Sequence, residues 1–157
     1  MEQRLPKIFY AGVFLLSVCM LASQLLLTRL LSILFWYHFV FMIVSIVMFG
    51  LTVGTLIVYF FPKHFSIENT ARQITWYSIL SALAIFGALL SIFYLPGVLA
   101  GCNISLQGIV KCYFPVLLIP FVFLGIVFAL ILTRFPSQIG KIYGVNLIGS
   151  AFGCLAA

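Results

Sequence analysis

Three polar side chains interrupt long apolar runs of this sequence: Gln24, Arg29 and Asn146. Polar residues at membrane depth are costly, so they usually face the interior of a helix bundle, where they pair with one another or contact a substrate. We therefore take these three residues as a candidate intramembrane polar site. Two alternatives stay open, because Arg29 could be an interfacial anchor near a helix end and Asn146 could serve only an interhelical hydrogen bond.

Two cysteines, Cys102 and Cys112, flank a polar stretch. In an oxidising compartment this pair could close a disulfide, which the spacing allows but does not establish. The other two cysteines, Cys19 and Cys154, lie inside apolar runs, where a thiol behaves as a small hydrophobic group.

The sequence contains no recognisable catalytic constellation. Its two acids, Glu2 and Glu68, lie in separate polar flanks and form no carboxylate pair for acid–base chemistry. Nucleotide-binding glycine motifs, serine-hydrolase motifs and Cys/His sets with zinc spacing are also missing. We expect no catalytic residue, no bound cofactor and no metal site in these 157 residues.

The composition is that of an integral membrane protein. Hydrophobic residues make up 65% of the chain and charged residues only 6%, whereas soluble proteins carry about 25% charged residues. The formal charge is +6, but the basic residues lie at the ends of apolar runs. That placement indicates membrane orientation rather than nucleic-acid binding. The lipid bilayer, in a bacterial inner (plasma) membrane, is the first partner that we expect.

Transmembrane helices must position the candidate residues. One crossing needs roughly 20 apolar residues, and the apolar runs predict helices at about 8–31, 39–61, 74–95, 112–133 and 142–157. The predicted fold class is all-α, a single polytopic transmembrane domain with four complete helices and a truncated or terminal fifth. Because the last run has no second polar flank, we expect the chain to be the front part of a longer protein.

The basic residues predict that the N-terminus is cytoplasmic. With that orientation the inner side holds six of them: Arg4, Lys7, Lys63, Arg72, Arg134 and Lys141. The outer side holds Lys111 and at most Arg29. Inner loops of membrane proteins carry an excess of lysine and arginine, and this distribution follows that rule.

Glycines recur at the spacing that lets membrane helices approach closely. The pairs are Gly50/Gly54, Gly140/Gly144 and Gly149/Gly153. Small residues four positions apart bring helix backbones into contact where no hydrophobic force acts between helices. We expect these glycines to pack helices against one another inside the bundle. The alternative is that they join copies of the chain in a homo-oligomer.

Three stretches resemble the N-terminal membrane domain of spermidine synthase-like membrane proteins. Leu25–Ser32 looks like the family's Trp-Thr-Arg-Leu-Leu segment, and Met48–Thr55 looks like its Phe-Leu-x-Gly-Leu-x-x-Gly-Ser segment. Tyr143–Leu155 is similar to its Tyr-x-x-Asn-x-x-Gly-Ala-x-x-Gly-x-Leu segment. Gln24 and Leu27 stand where the family often has glutamate and tryptophan, so the arginine of the first segment lacks its expected acidic partner.

The resemblance implies a membrane module that anchors or serves a cytosolic aminopropyltransferase-like domain. Further helices and that soluble domain, with a Rossmann-type core for decarboxylated S-adenosylmethionine or a related nucleotide, would belong to the same polypeptide. None of the residues for that chemistry would lie in the present sequence. The alternatives are a fragment or small subunit of a solute transporter and a structural membrane subunit.

Overall fold

The computed structural model describes residues 7–34, 39–62, 65, 70–100 and 106–157. These residues form five α-helices, with a short 3-10 helix at Pro136–Gln138 between the last two. The α-helices are α1 (Lys7–Leu34), α2 (Phe39–Phe60), α3 (Thr70–Ala100), α4 (Leu106–Arg134) and α5 (Ile139–Ala156). The described part contains no strand, and all five α-helices are long and apolar enough to cross a membrane. The predicted all-α transmembrane bundle is confirmed.

Two helices extend well beyond the predicted bounds. α3 begins at Thr70 and continues through Pro96 to Ala100, whereas the hydropathy pattern ends near position 95. α4 begins at Leu106, six positions before its predicted start. Hydropathy marks where apolar side chains end, but helical hydrogen bonds continue into the interfacial region, where polar side chains reach water. Positions 96–100 and 106–111, which the hydropathy pattern leaves outside the predicted helices, are therefore helical.

α5 has 18 residues and is itself long and apolar enough to cross a membrane. At a rise of 1.5 Å per residue it is about 27 Å long, close to the hydrocarbon thickness of about 30 Å.

α4 is the central helix of the bundle. In its span 56% of the residues are buried, against 17–28% in the other four spans. Both α2 and α3 pack on α4, while α1 packs mainly on α5 and to a lesser extent on α2. The main core joins Leu117 and Phe121 of α4 to Ile43 of α2, Ile92 of α3 and Leu27 of α1.

The two most extensive glycine-containing interfaces join helices that run in the same direction. Gly50 of α2 lies against Leu118–Val122 of α4, and Gly54, one turn later, lies against Val122–Ile126. In the other pair, Tyr10 near the start of α1 contacts Gln138 just before α5. The later contacts of α1 and α5 follow in the same chain order, so these two helices are also parallel.

One end of the bundle, which we call the basic end, collects most of the described basic residues. These are Lys7, Arg72, Arg134 and Lys141, at the ends of α1, α3, α4 and α5. The other two basic residues of the described helices, Arg29 and Lys111, belong to the opposite end. The fold thus places four of the six basic residues assigned to the inner side at one end of the bundle, and the other two lie outside the described residues.

Candidate functional site

Asn146 lies in the interface between α1 and α5, opposite the buried Ser17. The Ser17 Oγ is 2.6 Å from Asn146 Oδ1 and 2.8 Å from the main-chain oxygen of Val13. A serine hydroxyl has one proton and can donate to only one of these oxygens. Rotating the Asn146 amide by 180° lets its NH2 donate to Ser17 while Ser17 donates to Val13. In either arrangement, one half of the carboxamide has no partner among the described hydrogen bonds.

A groove of about 390 Å³, which we call the polar groove, opens beside this contact. Residues of α1, α2, α4 and α5 line it, and its polar members are Gln24, Thr55, Tyr143, Asn146 and Ser150. Its volume lies in the range of small-molecule sites, about 300–1,000 Å³. The groove therefore has the size and the hydrogen-bonding groups of a ligand site.

Gln24 contributes a second carboxamide to the polar groove. No described residue forms a hydrogen bond with its side chain, and it is half-buried. An amide without a partner is unfavourable in an apolar medium. Together, Gln24 and Asn146 offer both donors and acceptors to a molecule in the groove, and no charged side chain lines it.

Arg29 does not belong to this groove. Its side chain is exposed, and its Nη1 donates to the main-chain oxygen of Ala157 at 2.9 Å. The structure thus brings Gln24 and Asn146 of the predicted polar site together and places Arg29 nearer the end of α1. Five residues separate Gln24 from Arg29, which is about 7.5 Å along a helix.

Four of the six glycines in the predicted packing pairs lie at close helix contacts. A Cβ added to Gly50 would be 2.9 Å from Phe121 Cβ, and one at Gly54 would meet the α4 backbone. At Gly149 and at Gly153 an added Cβ would be 2.7 Å from a main-chain oxygen of α1. The pair Gly140/Gly144 differs, because no atom of the described residues lies within 4 Å of a Cβ added to either glycine.

The predicted disulfide lies outside the described residues. Cys102 is not described, and of Cys112 only the helical backbone is. The disulfide stays a prediction. Cys19 and Cys154 are free and exposed on the helices. Within the described ranges no group of three or more His, Cys, Asp and Glu side chains could hold a metal ion.

Sequence reasoning missed several residues of these interfaces. Gly125 packs against the backbone of Leu51, with an added Cβ 2.6 Å from the Leu51 oxygen. The small pair Gly125 and Ala129, four positions apart in α4, was an available signal. Ser17 and Thr55 had no comparable signal, because serine and threonine in a membrane helix commonly bond to their own helix backbone.

Comparison with known proteins adds no relative to this description. The chain matches no protein-family model, no curated protein and no solved structure. The resemblance to spermidine synthase-like membrane domains therefore depends on the three sequence stretches alone.

Proposed function

We propose that this chain is the membrane-embedded module of a spermidine synthase-like protein and that it anchors or serves a cytosolic transferase domain. In this proposal the N-terminus and the basic end are cytoplasmic, in keeping with the excess of basic residues there. The transferase chemistry belongs to a soluble domain of the same polypeptide, since the present residues offer no catalytic set.

One observation supports the proposal most: two of the stretches that carry the resemblance meet at the polar groove. Met48 and Thr55 come from Met48–Thr55, and Asn146 comes from Tyr143–Leu155. The two stretches are far apart in sequence and join different helices. If the residues of two separate motifs build one site, they are expected to lie together in the fold, as these do.

The gene itself tests the proposal. Read in frame beyond codon 157, it should encode a soluble domain whose first strand leads through a glycine-rich turn into a helix, as in nucleotide-binding folds. The purified full-length protein should then transfer a labelled aminopropyl group from decarboxylated S-adenosylmethionine to a diamine. A stop codon directly after Ala157, or apolar helices alone, would contradict the proposal.

A solute transporter is the second candidate, and the polar groove is the observation that favours it. Transporter sites lie near the bilayer midplane and are lined by polar groups of several helices. The groove lacks a carboxylate among its lining residues, so it suits an uncharged solute better than a cationic polyamine.

Proteoliposome uptake of labelled glycerol and glucose tests this second candidate. Gln24→Leu should reduce uptake about tenfold or more, since the loss of a hydrogen bond to a substrate group costs about 1.5 kcal/mol. Gly87→Ala is the matched control, because its added Cβ meets nothing within 4 Å. Equal uptake by protein-free liposomes would exclude these solutes and count against transport.

A further inference from the structure

Arg134 is the last residue of α4 and lies half-buried at the basic end. Its Nη2 donates to the main-chain oxygen of Phe65. Its Nε is buried and has no hydrogen-bond partner among the described residues. The two acids of the chain, Glu2 and Glu68, both lie outside the described residues, so no described side chain supplies a negative charge to this guanidinium.

A second groove, the Arg134 groove, has Arg134 among its lining residues and a volume of about 500 Å³. Its walls are largely apolar, from Val58 of α2 and from Phe128 and Leu132 of α4. Its lining residues run from Thr55 in α2 to Pro62, two positions beyond the end of that helix. The helical part, from Thr55 to Phe60, corresponds to about 7.5 Å, so the groove extends more than one turn from the helix end along α2.

We propose that the Arg134 groove binds one anionic phospholipid, with the lipid phosphate at Arg134 and the first part of an acyl chain beside Val58, Phe128 and Leu132. A guanidinium is planar and presents several donors, which matches the geometry of a phosphate. The groove joins that cation to an apolar channel, which is the arrangement of charge and hydrocarbon in a phospholipid.

The surroundings favour a lipid over free phosphate. Inorganic phosphate would lose hydration beside the apolar walls and would leave the lower part of the groove without an occupant. A phospholipid fills both parts and keeps its headgroup at the interface. The other basic residues of this end add a general attraction for anionic lipid. Each lysine or arginine near the surface raises the affinity for such a lipid roughly fivefold.

Native mass spectrometry of the purified full chain tests the proposal. The protein is exchanged into equal amounts of phosphatidylglycerol and phosphatidylcholine, and the lipids retained after detergent removal are counted. We expect wild-type protein to prefer phosphatidylglycerol by about tenfold or more, and Arg134→Gln to lose most of that preference. A hydrogen bond between charged groups contributes more than the roughly fivefold general attraction of one basic side chain near the surface.

Arg72→Gln is the matched control, because Arg72 is an exposed arginine at the same end. Because Arg72 is not among the residues that line the Arg134 groove, its replacement should cost at most the roughly fivefold general attraction of one basic side chain, clearly less than Arg134→Gln. Leu132→Trp leaves the guanidinium in place but narrows the groove, and it should lower phosphatidylglycerol retention if the acyl chain lies there. Circular dichroism of each variant checks that the helices form, and Arg134→Lys, which keeps the charge, should retain part of the preference.

Three results would overturn the proposal. Equal losses in Arg134→Gln and Arg72→Gln would show that charge at the basic end attracts lipid without a defined site. An unchanged preference in folded Arg134→Gln would remove Arg134 from lipid binding. Displacement of the retained lipid by millimolar inorganic phosphate would identify the site as one for free anions. None of these results bears on the transferase proposal.

Discussion

Among single residues, Ser17 and Asn146 form the hydrogen bond that joins the side chains of α1 and α5 near the polar groove. Interhelical hydrogen bonds in membranes contribute about 0.6 kcal/mol on average and up to about 1.7 kcal/mol. We predict that Ser17→Ala lowers the free energy of unfolding by about 1 kcal/mol, measured by titration with a denaturing detergent.

Ser45→Ala is the control for this prediction. Ser45 is exposed, and its hydroxyl bonds only to the main-chain oxygen of Phe41 in its own helix. Its replacement should change stability by less than about 0.5 kcal/mol. Equal effects of the two serine substitutions would show that the bond to Asn146 contributes nothing measurable, and a double-mutant cycle with Asn146→Leu would give the coupling directly.

The sequence identified Asn146 but not its partner, and the reason is physical. Asparagine is rarely placed at membrane depth without a partner, so its position alone is informative. Serine can satisfy its hydroxyl within its own helix, as Ser17 also does with Val13. Which serine faces the asparagine depends on how α1 and α5 rotate against each other, and a single sequence does not encode this in a local pattern.

Among the helices, the contact of α2 with α4 depends on glycines that admit the opposing backbone. A Cβ at Gly54 would be 2.8 Å from the Ile126 nitrogen and 2.9 Å from the Gly125 carbonyl carbon. Backbone atoms cannot move aside as a flexible side chain can. We predict that Gly54→Ala lowers the free energy of unfolding by about 2–3 kcal/mol, the upper part of the usual range for overpacking.

Gly87→Ala supplies the comparison within one measurement series. Gly87 lies inside α3, and nothing is within 4 Å of a Cβ added there. Alanine is the better helix former, by up to about 1 kcal/mol, so this variant should be as stable as wild type or more stable. If Gly54→Ala proves as stable as Gly87→Ala, the close approach of α2 and α4 is wrong.

The glycine spacing predicted that helices approach one another, but not which helices do so. Gly50/Gly54 and Gly149/Gly153 have the same pattern as Gly140/Gly144, yet only the first two pairs lie at contacts. The pair at positions 140 and 144 is at the start of α5, where no described residue lies within 4 Å of an added Cβ. Spacing describes one helix, whereas contact also needs a neighbour at the same depth.

For the whole molecule, hydropathy and charge predicted the class, the number of helices and their approximate positions. These properties follow from the thickness of the bilayer, which acts on each helix separately. The polar groove is a space left between α1, α2, α4 and α5, and the Arg134 groove lies between α2 and α4. Such spaces depend on how several helices pack together, so the sequence indicated polar residues such as Gln24 but no cavity.

The orientation of the bundle gives the last prediction. The basic end holds four of the six basic residues in the described helices, and such an excess marks the cytoplasmic side. Two single-cysteine variants test this orientation, both in a background without the four native cysteines. One replaces Gly140 at the basic end, and the other replaces Gln107 at the opposite end. Both substitutions leave every basic residue in place, and a Cβ at Gly140 meets nothing within 4 Å.

In spheroplasts, a membrane-impermeant maleimide should label Gln107→Cys directly and Gly140→Cys only after permeabilisation. Both positions lie near helix ends, where a thiol can reach water. The bilayer separates the two ends, so the reagent reaches only one of them in intact spheroplasts. The reverse pattern would place the basic end outside. In that orientation the Arg134 groove would not face the anionic cytoplasmic leaflet. The orientation of the bundle would also no longer support a cytosolic transferase domain.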